Sequence, residues 1–276
     1  MRCRPTTCCW CSSGVELDAL PVIWRDDHLI AVFKPAGWLV HRTGLDAGET
    51  RFVVQTLRDQ IGQRVHPVHR LDKGTCGVLV LALHADAARA LGLAFMGQAV
   101  RKRYLALVRG WPTETFAVDH ALRPDDAGPD APAQPAQTGF QTLAQWNWPE
   151  AQDPRFDSTR VALVQAEPLT GRRHQIRRHL KHVSHPILGD ATHGKGPLNR
   201  WWAHRLGLQR LWLHAQEITL PHPATGTPLR LHSGLQWAPG TGLVAAQDTP
   251  GAVADWLGAW HTLTRVATPV LSSRAC

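Results

Sequence analysis

The stretch with the most evident chemistry is His69-Arg70-Leu71-Asp72-Lys73-Gly74-Thr75-Cys76-Gly77, which runs straight into the apolar segment Val78 to Leu83. Asp72 follows Arg70 by two residues, and Gly74 and Gly77 permit a tight, irregular backbone. The apolar run has the character of a strand buried on both faces. One carboxylate is therefore set at the lip of a core strand, which is the rigid support that an active site needs. A surface Arg–Asp pair beside a turn would use the same residues, and their chemistry alone leaves the two readings level.

A second constellation is Gly171 to His182 (GRRHQIRRHLKH), with five cations and three histidines in twelve residues. That density is unusual for a helix that must also dock on a sheet. A solvated basic face accounts for Arg173, Arg178 and Lys181, and leaves Arg172, Gln175 and Arg177 over. His-x-x-x-x-His spacings occur here without an acidic partner at ligand spacing, so the pattern is a poor metal site. A third candidate is Val100 to Gly110, which alternates as a strand with Lys102, Tyr104, Ala106 and Val108 on one face. Tyr104 is the only tyrosine in the chain. By itself it reads as an ordinary half-buried strand aromatic.

The elements that must position these residues follow from spacing. Leu20 to Ala36 predicts a short strand, a turn at Arg25-Asp26-Asp27 and a second strand over 29–33, broken by Lys34-Pro35-Ala36-Gly37. Val53, Leu57 and Ile61 recur at i, i+4, i+8 and predict a helix within 50–62. His84 to Gln98 predicts a second helix. Residues 123–137 are dense in Pro, Asp, Ala and Gly and read as a mobile surface loop. A strand is expected over 159–166 and a helix from near Arg173. Leu211 to Ala215 predicts a late core strand and Pro223 to Pro228 a hairpin turn. Val253, Trp256, Leu257, Trp260 and Leu263 predict a closing amphipathic helix.

Composition narrows the classes. The 276 residues suffice for one large domain or two small ones, and no stretch is apolar enough for a membrane span. Lys+Arg number 30 against 22 Asp+Glu, a net charge of +8, and only five of the cations are lysine. Guanidinium groups grip phosphate in bidentate fashion, which favours a nucleic-acid partner, although a GC-rich genome would enrich arginine as well. The six cysteines stand at 3, 8, 9, 11, 76 and 276, a crowding at the start that does not make a disulfide framework. Cys8-Cys9-x-Cys11 lacks the two-residue spacers of zinc sites. A disordered Cys-rich tail over 1–19, a single catalytic domain over 20–266 and a disordered tail over 267–276 are expected.

The motifs together resemble the RluA-type pseudouridine synthases. His69 to Gly77 is similar to that family's His-Arg-Leu-Asp-x-x-Thr-Ser-Gly motif, with Cys76 in place of the usual serine. Lys34-Pro35-Ala36-Gly37 matches its Lys-Pro-x-Gly turn, Lys102-Arg103-Tyr104 its Lys-x-Tyr strand, and Pro135-Ala136-Gln137-Thr138 its Pro-Ala-x-Thr segment. Gly171 to Arg177 matches Gly-Arg-x-His-Gln-Ile/Leu-Arg. The resemblance spans roughly residues 20 to 235, and the segments over 33–42, 54–62 and 207–211 are most similar to members that act on uridine 65 of tRNA. It implies an α+β fold, a mixed and mainly antiparallel sheet with a central cleft flanked by helices and loops. An extra N-terminal RNA-binding domain, which many relatives carry, has no room before residue 20.

The resemblance also implies roles. Asp72 would be the catalytic carboxylate, Arg177 its partner, and Tyr104 the aromatic against the flipped uracil. His69 and Arg70 would hold the displaced backbone or fill the gap, Lys102 and Arg172 would contact phosphate, and Gln175 would belong to the RNA-binding set. The reaction calls for no cofactor and no metal; a monomer acting on RNA in the cytoplasm is expected. Two rivals use some of the same residues. A non-catalytic RNA-binding module explains the charge but has no use for Asp72. A metal-dependent nuclease needs clustered carboxylates, and in sequence none lies nearer to Asp72 than Asp59 or Asp86.

Overall fold

A computed structural model describes residues 19–42, 48–124, 130–238, 241–245 and 268–269. They form thirteen strands and four helices. In chain order these are β1 (Val22–Arg25), β2 (Leu29–Lys34), α1 (Val53–Ile61), β3 (His66–Pro67), β4 (Cys76–Ala82), α2 (Ala85–Met96), β5 (Arg101–Arg109) and β6 (Thr115–Asp119). There follow β7 (Gln137–Trp148), β8 (Thr159–Pro168), α3 (Gln175–His182), α4 (Gly196–Leu206), β9 (Leu213–Pro221), β10 (Pro228–His232), β11 (Leu235–Ala238), β12 (Gly242–Ala245) and β13 (Thr268–Pro269). Eleven strands build one mixed sheet along the path β1-β2-β4-β9-β5-β8-β7-β13, with β3, β6 and β10 pairing at its side, and β11 and β12 form a separate hairpin.

The β2–β4 pair shows why the sequence reads as apolar without alternation. Ile30, Val32, Leu79 and Leu81 face one cluster, with Val53 and Leu57 of α1. Leu29, Ala31, Val78, Val80 and Ala82 face another, with Ala87 and Leu91 of α2. A strand covered on both faces cannot carry polar residues on either. The other half of the sheet, β5, β8 and β7, is covered by Ile176 and Leu180 of α3 and by Leu198 and Trp202 of α4.

The two halves join at β4 and β9, the one parallel pairing among the described strands, which matches only Cys76 with His214 and Gly77 with Ala215. Gly77 has φ +113 and a Cβ there would run into the Ala215 backbone, so glycine is needed for the strands to meet. Asp72 lies just before this seam and Tyr104 just across it, paired with Ala215 on β9.

Most expected elements are present, with shifts that have local causes. α3 begins at Gln175, not near Arg173, because His174 sits in left-handed conformation at φ 54 and cannot continue a helix. Within the stretch over 123–137, of which residues 125–129 lie outside the described residues, Gln134 bridges to Leu122 and Gln137 already belongs to β7. α4 and the β11–β12 hairpin carry no clear signal in the sequence pattern. The Cys-rich start, the closing helix expected over 253–263 and the C-terminal tail lie outside the described residues, apart from the short β13.

Candidate active site

The loop that carries Asp72 is held from below by Lys34. This residue ends β2, is completely buried, and donates from Nζ to the carbonyls of Pro35 (2.9 Å), Lys73 (3.2 Å) and Thr75 (2.7 Å). The Gly37 N–H donates to the same Lys73 carbonyl at 2.8 Å, and the Thr75 N–H closes the turn on the Asp72 carbonyl at 3.0 Å. Burial pulls the Lys34 ammonium down to about 7, and the charges of Cys76 and Asp72 oppose that fall. Leu71 is buried in the β2–β4 core, so Asp72 is presented from a backbone fixed on both sides.

Opposite the loop stands Arg177. Its Nη1 donates to Asp72 Oδ2 at 3.0 Å, while Nε and Nη2 make a fork of 2.8 Å bonds to the two oxygens of Asp190. The Arg177 and Asp190 side chains are 8% and 1% exposed, against 21% for Asp72, so the pair is shielded and the carboxylate beyond it is reachable. Burial would raise the Asp190 carboxyl, but Arg177 and the main-chain N–H groups of His193 and Thr192 more than offset it and hold it below the usual range. Oδ2 of Asp72 also lies 3.9 Å from His174 Nε2, and His174 Nδ1 is 3.0 Å from His193 Nε2. Asp72 Oδ1 receives no hydrogen bond from any described residue.

Tyr104 packs against both core clusters that meet at the seam. Burial and, second, the Asp72 charge push its phenol well above the usual range, so the hydroxyl is protonated and close enough to Asp72 to feel it. On the same strand face Lys102 donates to the Thr170 carbonyl at 3.1 Å, tying β5 to the turn before α3. Cys76, at the departure from the family motif, lies under the seam with Sγ 3.1 Å from His214 Nδ1 and 2.8 Å from Arg210 Nη2. Burial would raise this thiol, but Arg210 and His214 bring it down to about 6. His214 Nε2 is 2.6 Å from Ser233 Oγ, so a polar chain runs from β4 through β9 to the turn after β10.

The structure thus brings Asp72, Tyr104 and Arg177 together and disperses some other candidates. Gln175 is taken up within the fold: its oxygen accepts from Thr170 Oγ1 and the Arg172 N–H, and its nitrogen donates to the Gln137 carbonyl and Thr138 Oγ1. Two of these bonds brace the turn before α3 and two tie its N-terminus to β7, which is why the residue is buried. His69 is also built into the fold: Nε2 accepts from the Val80 N–H at 2.9 Å and the ring stacks on Phe95 at 4.9 Å. Arg70 is exposed and makes no hydrogen bond or ion pair with the described residues. Arg172 is exposed and anchored by Nε to the Pro135 carbonyl at 3.1 Å.

Sequence reasoning missed Asp190, 118 positions from Asp72 in the chain and one guanidinium away in space. Its signal was an aspartate ending the otherwise apolar link His185 to Asp190. Gly189 before it has φ +74 and no room for a Cβ against the Arg210 carbonyl. Lys34 was visible only as part of a turn motif.

Comparisons with known proteins bear on this site. The family described as RNA pseudouridylate synthase matches residues 28–182. A Yersinia pestis protein named tRNA pseudouridine synthase C is 44% identical over 263 residues, covering 92% of this chain and 98% of that one. A Vibrio cholerae protein of the same name is 46% identical over 223 residues, 78% of this chain and 91% of that one. In fold, the chain is similar to human RNA pseudouridylate synthase domain containing 1, with a TM-score of 0.62, 22% identity, and coverage of 87% and 95%.

Proposed function

The chain belongs to the RNA pseudouridylate synthase family, and from that premise we propose that it converts a uridine of tRNA to pseudouridine, at position 65 in the stem near the acceptor end. The observation that carries this reading is the Asp72–Arg177–Asp190 array. It holds one carboxylate oxygen on an arginine that a second, buried carboxylate keeps aimed, and leaves the other oxygen open.

The reaction breaks the N1–C1′ bond, turns the base and joins C5 to C1′, with a proton lost from C5 and one gained at N1. Asp72 Oδ1 meets the ribose, either attacking C1′ or taking the 2′ proton. Arg177 supports this without leaving its place, because Asp190 has already fixed it. The uracil stacks on Tyr104, a contact worth about 1–3 kcal/mol. The protonated phenol serves as a relay that accepts the C5 proton as it gives up its own to water. Flipping the nucleotide costs about a few kcal/mol, and the exposed Arg70 stands ready to hold the vacated position. Lys102 and Arg172 carry backbone phosphate. The same reading makes residues 20–266 one catalytic domain, acting as a monomer, without a metal, in the cytoplasm.

The test is tritium release from tRNA labelled at uridine C5, run with and without chelator, beside pseudouridine sequencing of RNA from a strain lacking the gene. Release that survives chelator, with loss of the modification at tRNA position 65, is the expected result. Loss confined to ribosomal RNA would overturn the tRNA assignment, and binding without release would leave a non-catalytic RNA-binding protein.

A further inference from the structure

His174 breaks a local rule close to Asp72. It caps the N-terminus of α3, where an extended residue with a capping side chain is usual. Instead it sits in left-handed conformation at φ 54, and its ring makes no capping bond. Glycine would hold that turn without strain, so an L side chain kept there points to a use for the side chain. We propose that His174 is a further substrate-binding residue, whose Nε2–H donates to the 2′-hydroxyl oxygen of the uridine on which Asp72 acts. The inference rests on the reading of the chain as a pseudouridine synthase and names a contact within that reading.

The ring is aimed from behind. His174 Nδ1 lies 3.0 Å from His193 Nε2. His193 is placed by its main-chain N–H, which donates to Asp190 Oδ1 at 2.8 Å beside the Thr192 N–H at 3.0 Å. Asp190 is the carboxylate that also forks onto Arg177. One buried acid therefore sets both groups that approach Asp72. Burial, with Asp190 opposing it and Arg177 reinforcing it, holds the His193 imidazole below its ordinary range, so at neutral pH this ring carries a single proton. The proton on His174 Nε2 is present in either charge state of that ring. An imidazolium bears one on each nitrogen. A neutral ring keeps its proton on Nε2, where a lone pair would face the Asp72 carboxylate, while Nδ1 accepts from His193.

Nε2 stands 3.9 Å from Asp72 Oδ2, too far for a hydrogen bond between them. A donor and an acceptor so spaced match one hydroxyl, which gives its proton to the carboxylate and accepts one from the imidazole. Arg177 Nη1 uses one lone pair of Oδ2 at 3.0 Å, and the oxygen has a second to offer. The side chains of His174 and Asp72 are 14% and 21% exposed, so an incoming nucleotide reaches the gap between them. The 2′-hydroxyl is the group that fits. With Asp72 Oδ1 at C1′, Oδ2 falls beside the 2′ oxygen, because the oxygens of a carboxylate are about as far apart as C1′ and that oxygen. The ring oxygen O4′ and the uracil carbonyls offer no proton to Oδ2. The contact selects ribose, since the 2′-hydroxyl is what tells RNA from DNA.

The experiment pairs His174→Gly with synthetic tRNA stem-loops that carry uridine or 2′-deoxyuridine at the target position. Glycine suits φ 54, so melting temperature should stay near wild type. His174→Asn, which also tolerates that conformation and keeps an N–H donor, is the second variant. Wild type should lose on the order of ten- to a hundredfold in kcat/KM on the 2′-deoxy substrate, because donor and acceptor are left unpaired. His174→Gly should lose a similar factor on the ribose substrate and much less on further removal of the hydroxyl, with Asn between. A 2′-deoxy penalty equal in wild type and both variants would overturn the contact and leave the synthase reading intact, as would wild-type turnover by His174→Gly. Unfolding of both variants would make His174 a structural residue and overturn the proposal. Binding titrations with the same stem-loops separate the two levels. If no RNA is converted but the 2′-deoxy penalty in Kd still depends on His174, the contact stands and the synthase reading falls; if it does not, both fall.

Discussion

The loop that carries Asp72 and the helix that carries Arg177 face each other across the seam of the sheet, and they are fastened by opposite means. On the Asp72 side a single buried cation, Lys34, gathers three backbone carbonyls. On the Arg177 side a buried carboxylate, Asp190, gathers a guanidinium and two backbone N–H groups. The first device shapes main chain and leaves the functional side chain 21% exposed; the second fixes a side chain directly and buries it. The difference suits the roles proposed for Asp72 and Arg177. A carboxylate that must meet a ribose needs a rigid base and a free oxygen, whereas the residue that aims it needs no exposure to solvent at all.

Removing the group on which both sides converge should have the largest effect. Asp72→Asn keeps the shape and loses the charge, and Arg177 remains neutralised by Asp190, so melting temperature and RNA binding should stay near wild type while tritium release vanishes. Measurable turnover by this variant would detach the chemistry from Asp72. Tyr104→Phe comes next. Loss of the relaying hydroxyl should cost about 10²–10⁴-fold in release, the usual range for a positioned proton-transfer group, with RNA binding retained. Near-normal release would reduce Tyr104 to a stacking surface, and an unfolded variant would make it a core residue.

Breaking each fastening separately sharpens the comparison. Asp190→Ala strands a buried guanidinium, for which a loss of about 3–5 kcal/mol in stability is expected, along with activity. Chemical denaturation and turnover should fall together; a stable and active variant would mean that Asp72 alone suffices to hold Arg177. Lys34→Met should act differently, losing about 10²-fold in kcat/KM through a displaced loop at a smaller cost in stability. It also has a signature in pH. The Lys34 pKa is about 7 in the fold against an ordinary 10.5, so between those values the unfolded chain binds the extra proton and stability rises with pH. Below about 7 both states are protonated and the native state bears the full penalty of the buried charge. The wild type should gain up to about 1.4 kcal/mol per pH unit within that window relative to Lys34→Met. Parallel stability–pH curves for the two proteins would show that the ammonium is not desolvated.

Much of the site was readable before any fold was known. Asp72 beside Arg70, ahead of a doubly apolar run, is a local pattern, and so is the Lys102–Tyr104 alternation; both depend on spacing that a strand imposes within a few residues. The identity of the family followed from separated motifs, now supported by the match over 28–182 and by close relatives. Tertiary structure decided what each polar residue does, because a side chain's partner is set by what packs against it and not by its neighbours in the chain. Gln175 and His69 stand in motifs beside the residues proposed to be catalytic, yet they are bonded to β7 and β4. Asp190 carries no local signature of its role, since a buried acid becomes tolerable only where a distant arginine meets it. Lys34 is the same case with the charges reversed: a lysine at a strand end reads as exposed until three carbonyls, two of them 39 and 41 residues away, close around it.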